Sequence, residues 1–188
     1  MTSNSALLVM DVQQAIVDRF AGSENAAGYL PRLREAIDAA HRAEIPVLHV
    51  VVGFRDGHPE ISPRNKTFST LALSGGFAEG AEDARVHPDV APSPGDILIT
   101  KKRVSAFAGS DLDLVLRARG VDSLVLTGIA TSGVVLSTLR QAADLDFRLT
   151  VLSDGCLDAD PEVHRVLLEK VFPRQAEIVE VAEWIKSL

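Results

Sequence analysis

The stretch from Ser123 to Thr138, SLVLTGIATSGVVLST, constrains this chain more than any other. Its first part, Leu124 to Leu126, is a short branched apolar run of the kind that forms a buried strand. Gly128 breaks the run, and Thr131, Ser132 and Gly133 supply the small hydroxyl and glycine residues that favour a helix start. From Val134 onward the apolar residues fall at helical spacing, at Val134, Val135, Leu139, Ala142 and Ala143. A strand that turns tightly into a helix gathers several backbone N–H groups at one point. There they can hold an anion or a developing oxyanion.

The rest of the chain repeats the same grammar. Ala6 to Met10, Val47 to Val52, Ile97 to Thr100, Arg148 to Leu152 and Glu177 to Glu180 read as further strands. Between them lie helical patterns at Leu30 to Ala43, Asp111 to Arg119, Val134 to about Asp146 and Pro161 to about Val171, with Ala182 to Leu188 closing the chain. Two connections lack a strong period: Asp11 to Phe20, and the Gly-, Pro- and Ser-rich segment from Gly53 to Gly95. A connection as long as the second is usually a functional loop or lid. Strands alternating with amphipathic helices predict an α/β fold, one doubly wound domain over residues 1–188 with a six-stranded parallel sheet covered on both faces.

Composition removes several classes of function. A net charge of −7, with no basic run longer than Lys101-Lys102-Arg103, predicts no nucleic-acid surface. No apolar run approaches the roughly 20 residues that span a bilayer, so no membrane partner is expected. The N-terminal segment Met1 to Ser5 lacks the pattern of a signal peptide, and the single cysteine, Cys156, cannot make an internal disulfide. Both point to a cytoplasmic protein.

Ligands in such folds bind at the carboxyl ends of the strands. Asp11, Lys101 and the Gly128–Val134 turn all fall there. An aspartate at a strand end also serves as a simple cap, and a lysine beside two cations also serves as solvated surface. Their joint placement favours one pocket.

These places resemble the isochorismatase-like (cysteine hydrolase) superfamily, which includes nicotinamidases, ureido-acid and other amidohydrolases, and isochorismatases. The carriers are LLVMDVQ at 7–13, KKRVSAF at 101–107 followed by GSDL at 109–112, TGIAT at 127–131 with Val135 and Thr138, and Ser153-Asp154 with His164 and Phe172-Pro173. The resemblance covers nearly the whole chain. It implies the strand order 3-2-1-4-5-6, Asp11 as acid/base, Lys101 as the catalytic lysine, and a non-proline cis peptide at Ile129–Ala130. It also implies an oxyanion hole from the backbone amides of Ala130 and Val134. Gln13, Phe20, Arg103, Phe107, Thr131 and Ser132 are the candidates for contacting substrate. Phe20 and Phe107, like Phe68, are more often core residues than substrate stackers.

The sequence departs from the family at one position. The nucleophilic cysteine aligns with Val134, whose side chain has no nucleophilic atom. Cys156 lies past strand five and reads as a small buried hydrophobe. Ser132 is either a substitute nucleophile or the cap of the following helix. The resemblance still offers a route without a thiol. In the isochorismatase branch an aspartate protonates a vinyl ether and water captures the resulting cation, releasing pyruvate. The expectation is therefore a hydrolase of a small metabolite using Asp11 and Lys101. The alternatives are a silent binding module and an amidase using Ser132. An ammonium beside Asp11 favours the ionised carboxylate, so acid catalysis requires burial or substrate charge to offset it. No cofactor or metal is expected, because His49, His58 and His87 with Asp56, Glu60 and Asp89 match no ligand spacing. A homodimer or larger assembly is expected, with the 53–95 connection suited to a subunit interface.

Overall fold

The computed structural model describes residues 4–20 and 27–188; Met1 to Ser3 of the N-terminal segment read above lie outside it. Six strands, β1 (Ser5–Met10), β2 (Val47–Val52), β3 (Ile97–Lys101), β4 (Ser123–Ile129), β5 (Arg148–Leu157) and β6 (Glu177–Val179), form one sheet in the order β3-β2-β1-β4-β5-β6. Every pairing is parallel. Seven α-helices are present among the described residues: α1 (Gln14–Phe20), α2 (Tyr29–Arg42), α3 (Lys66–Ser74), α4 (Leu112–Ala118), α5 (Leu136–Asp144), α6 (Pro161–Val166) and α7 (Val181–Ser187).

Parallel strands are joined by crossovers, so both faces of the sheet are covered and interior strands are apolar throughout. β2, VLHVVV, is buried at every position. On one face Leu8, Met10, Val50, Ile99, Leu126 and Val151 pack against Leu112 and Leu116 of α4 and Leu139 and Ala142 of α5. On the other, Leu7, Val9, Val47 and Val125 meet Leu33, Ile37 and Ala40 of α2 and Trp184 of α7. The 33, 37, 40 spacing forms the inward stripe of α2. Truncating Leu33 or Ile37 to alanine in such a core would cost about 2–5 kcal/mol.

The chain winds outward from β1 to β3 on one side and from β4 to β6 on the other. The reversal between β1 and β4 opens the crevice where ligands of doubly wound folds bind. Asp11 follows β1, and the Thr131–Val135 turn follows β4, so both lie at that crevice.

Several elements differ from the sequence reading. Gly128 does not break β4, which continues to Ile129. Gly128 has φ +142°, and a Cβ there would sit 2.2 Å from the Met10 carbonyl oxygen. The glycine is therefore required by the close approach of β1, not by a strand end. β5 runs on past Leu152 to Leu157, pairing Cys156 with Gly128 after a shift in register. Asp11 to Phe20 contains α1, which has no fully buried residue and so no strong apolar period to show itself. The long second connection folds around Phe54, Phe68 and Phe77, with α3 capped by the Asn65 side chain.

Candidate active site

Asp11 takes up a left-handed backbone, φ 57°, which aspartate tolerates better than most residues. Its N–H donates to Val50 O at 2.8 Å, which fixes the residue against the end of β2. Lys101 ends β3 beside Val52 and shares the inward parity of Ile99. Its side chain is 2% exposed, and its Nζ donates to Asp11 Oδ2 at 2.9 Å and to the Arg103 carbonyl at 2.9 Å. An ammonium has three N–H groups, so one remains for a ligand.

Asp11 Oδ1 is buried and has no hydrogen-bond partner among the described residues. Burial pushes the Asp11 carboxyl above its ordinary value; the Lys101 charge and hydrogen bond oppose this and lose. The electrostatic obstacle to acid catalysis is thus offset by desolvation. A protonated or readily protonated carboxyl can donate; once ionised it becomes a base.

The turn after β4 begins with a cis peptide at Ile129–Ala130. Residues Thr131–Val135 form a wide, π-type turn before α5. Gly133 N and Val135 N both donate to Ala130 O, at 3.0 and 3.3 Å. The segment that follows β3 is tied to α5, for Ala106 N donates to Thr138 Oγ1 at 3.0 Å and Ser105 Oγ to Gln141 Oε1 at 2.7 Å. Lysine segment, turn and Asp11 are in this way brought to one corner of the molecule. Val134 shares a packed cluster with Met10 and Ala106 and is 2% exposed.

Two residues that the sequence did not join to this turn hold it from the β5 side. Asp158 Oδ2 accepts the Ser132 N–H at 2.7 Å, and Thr131 Oγ1 lies 2.8 Å from His164 Nδ1. Asp158 had no role in the sequence reading, and His164 entered only as part of a motif. The available signal was the Asp160-Pro161 pair, a helix start that places His164 one turn into α6.

The remaining candidates fall elsewhere. The Gln13 amide is fully engaged with backbone: Nε2 donates to Val52 O and Ala84 O, and Oε1 accepts from Val52 N. The Arg103 guanidinium donates to the carbonyls of Lys102 and Glu60, at 2.6 and 2.8 Å. Phe107 packs in the core against Phe147, 6.0 Å between centroids, and Phe20 lies against the opposite cluster. Ser132 is exposed, and the histidine at this turn serves Thr131 instead.

Cys156 is buried within β5, its thiol pushed far up by desolvation and directed at Leu126 O; an un-ionised thiol is a poor nucleophile. His49 is enclosed in β2 near Asp96, His58 binds the Gly76 carbonyl, and His87 accepts from Asp89 N. Among the described residues no group of three or more His, Cys, Asp or Glu could hold a metal ion. Among them, too, no helix is long and apolar enough to cross a membrane.

Three surface hollows have volumes of about 500, 400 and 580 Å³, and neither Asp11, Lys101 nor Val134 lines any of them. The largest apolar one runs beside β3, over Val51, Ala84, Val86 and the exposed Leu98.

The isochorismatase domain matches residues 5–183 of this chain. The ureidoacrylate amidohydrolase RutB of Stutzerimonas stutzeri is 34% identical, over 99% of this chain and 80% of its own length. The uncharacterized isochorismatase family protein YecD of Escherichia coli O157:H7 is also 34% identical, over 98% and 96% of the two chains. The crystal structure of an isochorismatase family protein from Desulfovibrio vulgaris superposes with a TM-score of 0.87 at 28% identity, covering 99% of this chain and 98% of that one.

Proposed function

This chain belongs to the isochorismatase family, and we propose that it is a hydrolase of a small metabolite that works through Asp11 and Lys101 without a covalent thioester. The observation that carries this reading is the condition of Asp11. Its carboxyl is buried and raised, and its Oδ1 has no partner among the described residues. An acid kept ready for protonation beside an unoccupied acceptor position suits proton delivery to a substrate.

The favoured substrate is a vinyl ether. Asp11 protonates the terminal carbon of the double bond, and the ether oxygen shares the positive charge of the resulting oxocarbenium ion. Water adds to the carbon that bears the ether oxygen and loses a proton, and the hemiketal then collapses to a ketone and an alcohol. One water is consumed and the proton returns to Asp11. Lys101 holds the Asp11 carboxyl, and its third N–H binds a substrate oxygen. The backbone amides of Ala130 and Val134 take a second oxygen. Valine occupies the position that the family resemblance gives to the cysteine, so no acyl-enzyme forms there. Ionised, the same pair instead activates water toward an amide or ester, and the RutB likeness makes a ureido acid the first amide to try.

A second reading, a binding module without turnover, is favoured by one observation: Val134 and Lys101 are each only 2% exposed, and no described hollow opens on them. A screen of vinyl ethers, amides and esters with wild type, Asp11→Asn and Val134→Cys separates the two. Turnover by wild type that Asp11→Asn abolishes supports the hydrolase. Silence of all variants on every class, with retained ligand binding, supports the module. Turnover that Ser132→Ala abolishes would favour the serine amidase instead.

A further inference from the structure

We propose that His164 is a positioning residue: by holding the Thr131 hydroxyl it fixes the direction of the backbone amides that the turn after β4 presents to a ligand. Its catalytic consequence rests on the hydrolase reading above; its structural consequence does not.

The turn does not open as a regular α-helix. Ala130 O receives the N–H groups of Gly133 and Val135, three and five residues on, so a regular four-residue ladder does not start here. Two side chains add a constraint from the same side. Asp158 fixes Ser132 N, and His164 meets Thr131 Oγ1 at 2.8 Å.

The anchor behind the histidine is firm. Asp160 caps α6 by accepting the N–H groups of Glu162 and Val163, and Pro161 follows it at the first helical position. Asp160 N in turn donates to Asp158 Oδ1 at 3.4 Å. β5 lies on one side of β4 and β1 on the other. The brace therefore stands on the β5 side, and Asp11 on the β1 side. Chemistry and support do not compete for the same groups.

Thr131 is fully buried, so its hydroxyl needs a partner inside the protein. With the ring neutral and its proton on Nε2, Nδ1 accepts the hydroxyl hydrogen. Once protonated, Nδ1 becomes a donor, the hydroxyl must accept, and its own hydrogen must turn elsewhere. Burial holds the ring below its ordinary value, and Asp158 opposes that shift. The turn itself, Thr131 to Val135, brings no charged side chain. Glu162 and Arg165 of α6, and Glu169 and Lys170 beyond it, are exposed.

The test needs no substrate. The His164 ring and the backbone amides of Ala130 to Val135 are followed by NMR through an acid titration, in wild type, Thr131→Val and Thr131→Ser. The amides of wild type and Thr131→Ser should titrate with the ring, and those of Thr131→Val should not. Amides that ignore the ring in wild type overturn the proposal, whatever the variants do. Where a substrate is turned over, Thr131→Val should lower kcat about tenfold with KM within about twofold, a loss seen only in the transition state. Thr131→Ser should restore it. Equal kcat in both variants would also overturn the catalytic consequence. An enzyme silent on every substrate would refute the hydrolase reading while leaving the NMR result to decide this one.

Discussion

Lys101 Nζ lies 2.9 Å from Asp11 Oδ2 although their strands, β3 and β1, are not neighbours. The lysine stem crosses the end of β2 to make the bond, and both side chains are almost wholly enclosed. Opposite charges in such a place are worth little against an apolar pair, yet breaking them by removing one is expensive. Lys101→Met should therefore destabilise the protein by about 3 kcal/mol, and by less than about 1 kcal/mol in an Asp11→Asn background. Urea denaturation of the four proteins in the cycle checks this. Simple additivity would mean that the two groups are not coupled.

The direction of the Asp11 shift fixes the sign of a pH profile. Its folded value lies above 3.8 because burial outweighs the lysine. An acid catalyst works while protonated, so kcat/KM on a vinyl ether should fall as pH rises through that value. A base catalyst acting on an amide should show the opposite limb at the same pH. The folded state also holds this proton more tightly than the unfolded chain does. Its contribution to stability is therefore full below about 3.8 and lost as pH rises through the folded value. A rate profile with no limb that Asp11→Asn alters would remove Asp11 from the chemistry.

The sequence made the alternation of strands and helices legible because buried parallel strands such as VLHVVV have to be apolar on both faces. Asp11 and Lys101 were legible because each directly ends such a run. Gly128 was misread, since a glycine demanded by contact with Met10 looks the same in one dimension as a glycine that ends a strand. α1 was invisible because a helix with no fully buried residue carries little apolar period. Gln13 and Arg103 sit two residues from Asp11 and Lys101 in the chain, and only the three-dimensional structure shows their polar atoms engaged with the backbone. The Thr131–His164 bond joins residues 33 positions apart, with a whole strand between them, and no local pattern encodes it.

His49 predicts an acid-sensitive stability. It is fully buried in β2, 3.4 Å from an Asp96 oxygen, and neither ring nitrogen has a hydrogen-bond partner among the described residues. Burial lowers its value below 6.5, against the pull of Asp96. The unfolded chain thus takes up a proton before the folded one. Stability is lost as pH falls below about 6.5 and stops falling once the folded value is passed. His49→Leu should flatten the fall in unfolding free energy between about pH 6.5 and 5 without abolishing it, since His164 is shifted in the same direction. Asp96 keeps its bonds to His41 and Ser93 N in that variant. Denaturation at several pH values measures the slope, and an unchanged slope would show that His49 does not carry it.

Tyr29, in the first turn of α2, offers the opposite kind of test. It is 1% exposed, and its hydroxyl has no partner among the described residues. Burial pushes the phenol well above its ordinary value, so it stays neutral and contributes nothing by charge. A buried hydroxyl that lacks a partner has lost its water without replacement, at a cost of about 1–3 kcal/mol. The ring itself belongs to the apolar cluster that includes Val9, Val12, Ile129 and Leu157, and that packing survives removal of one oxygen. Tyr29→Phe should therefore stabilise the protein by about 1 kcal/mol and raise Tm by about 2–4 °C. Thermal unfolding in a scanning calorimeter decides it. A lowered Tm would mean that the hydroxyl has a partner in solution, and that Tyr29 belongs among the groups facing a ligand or water.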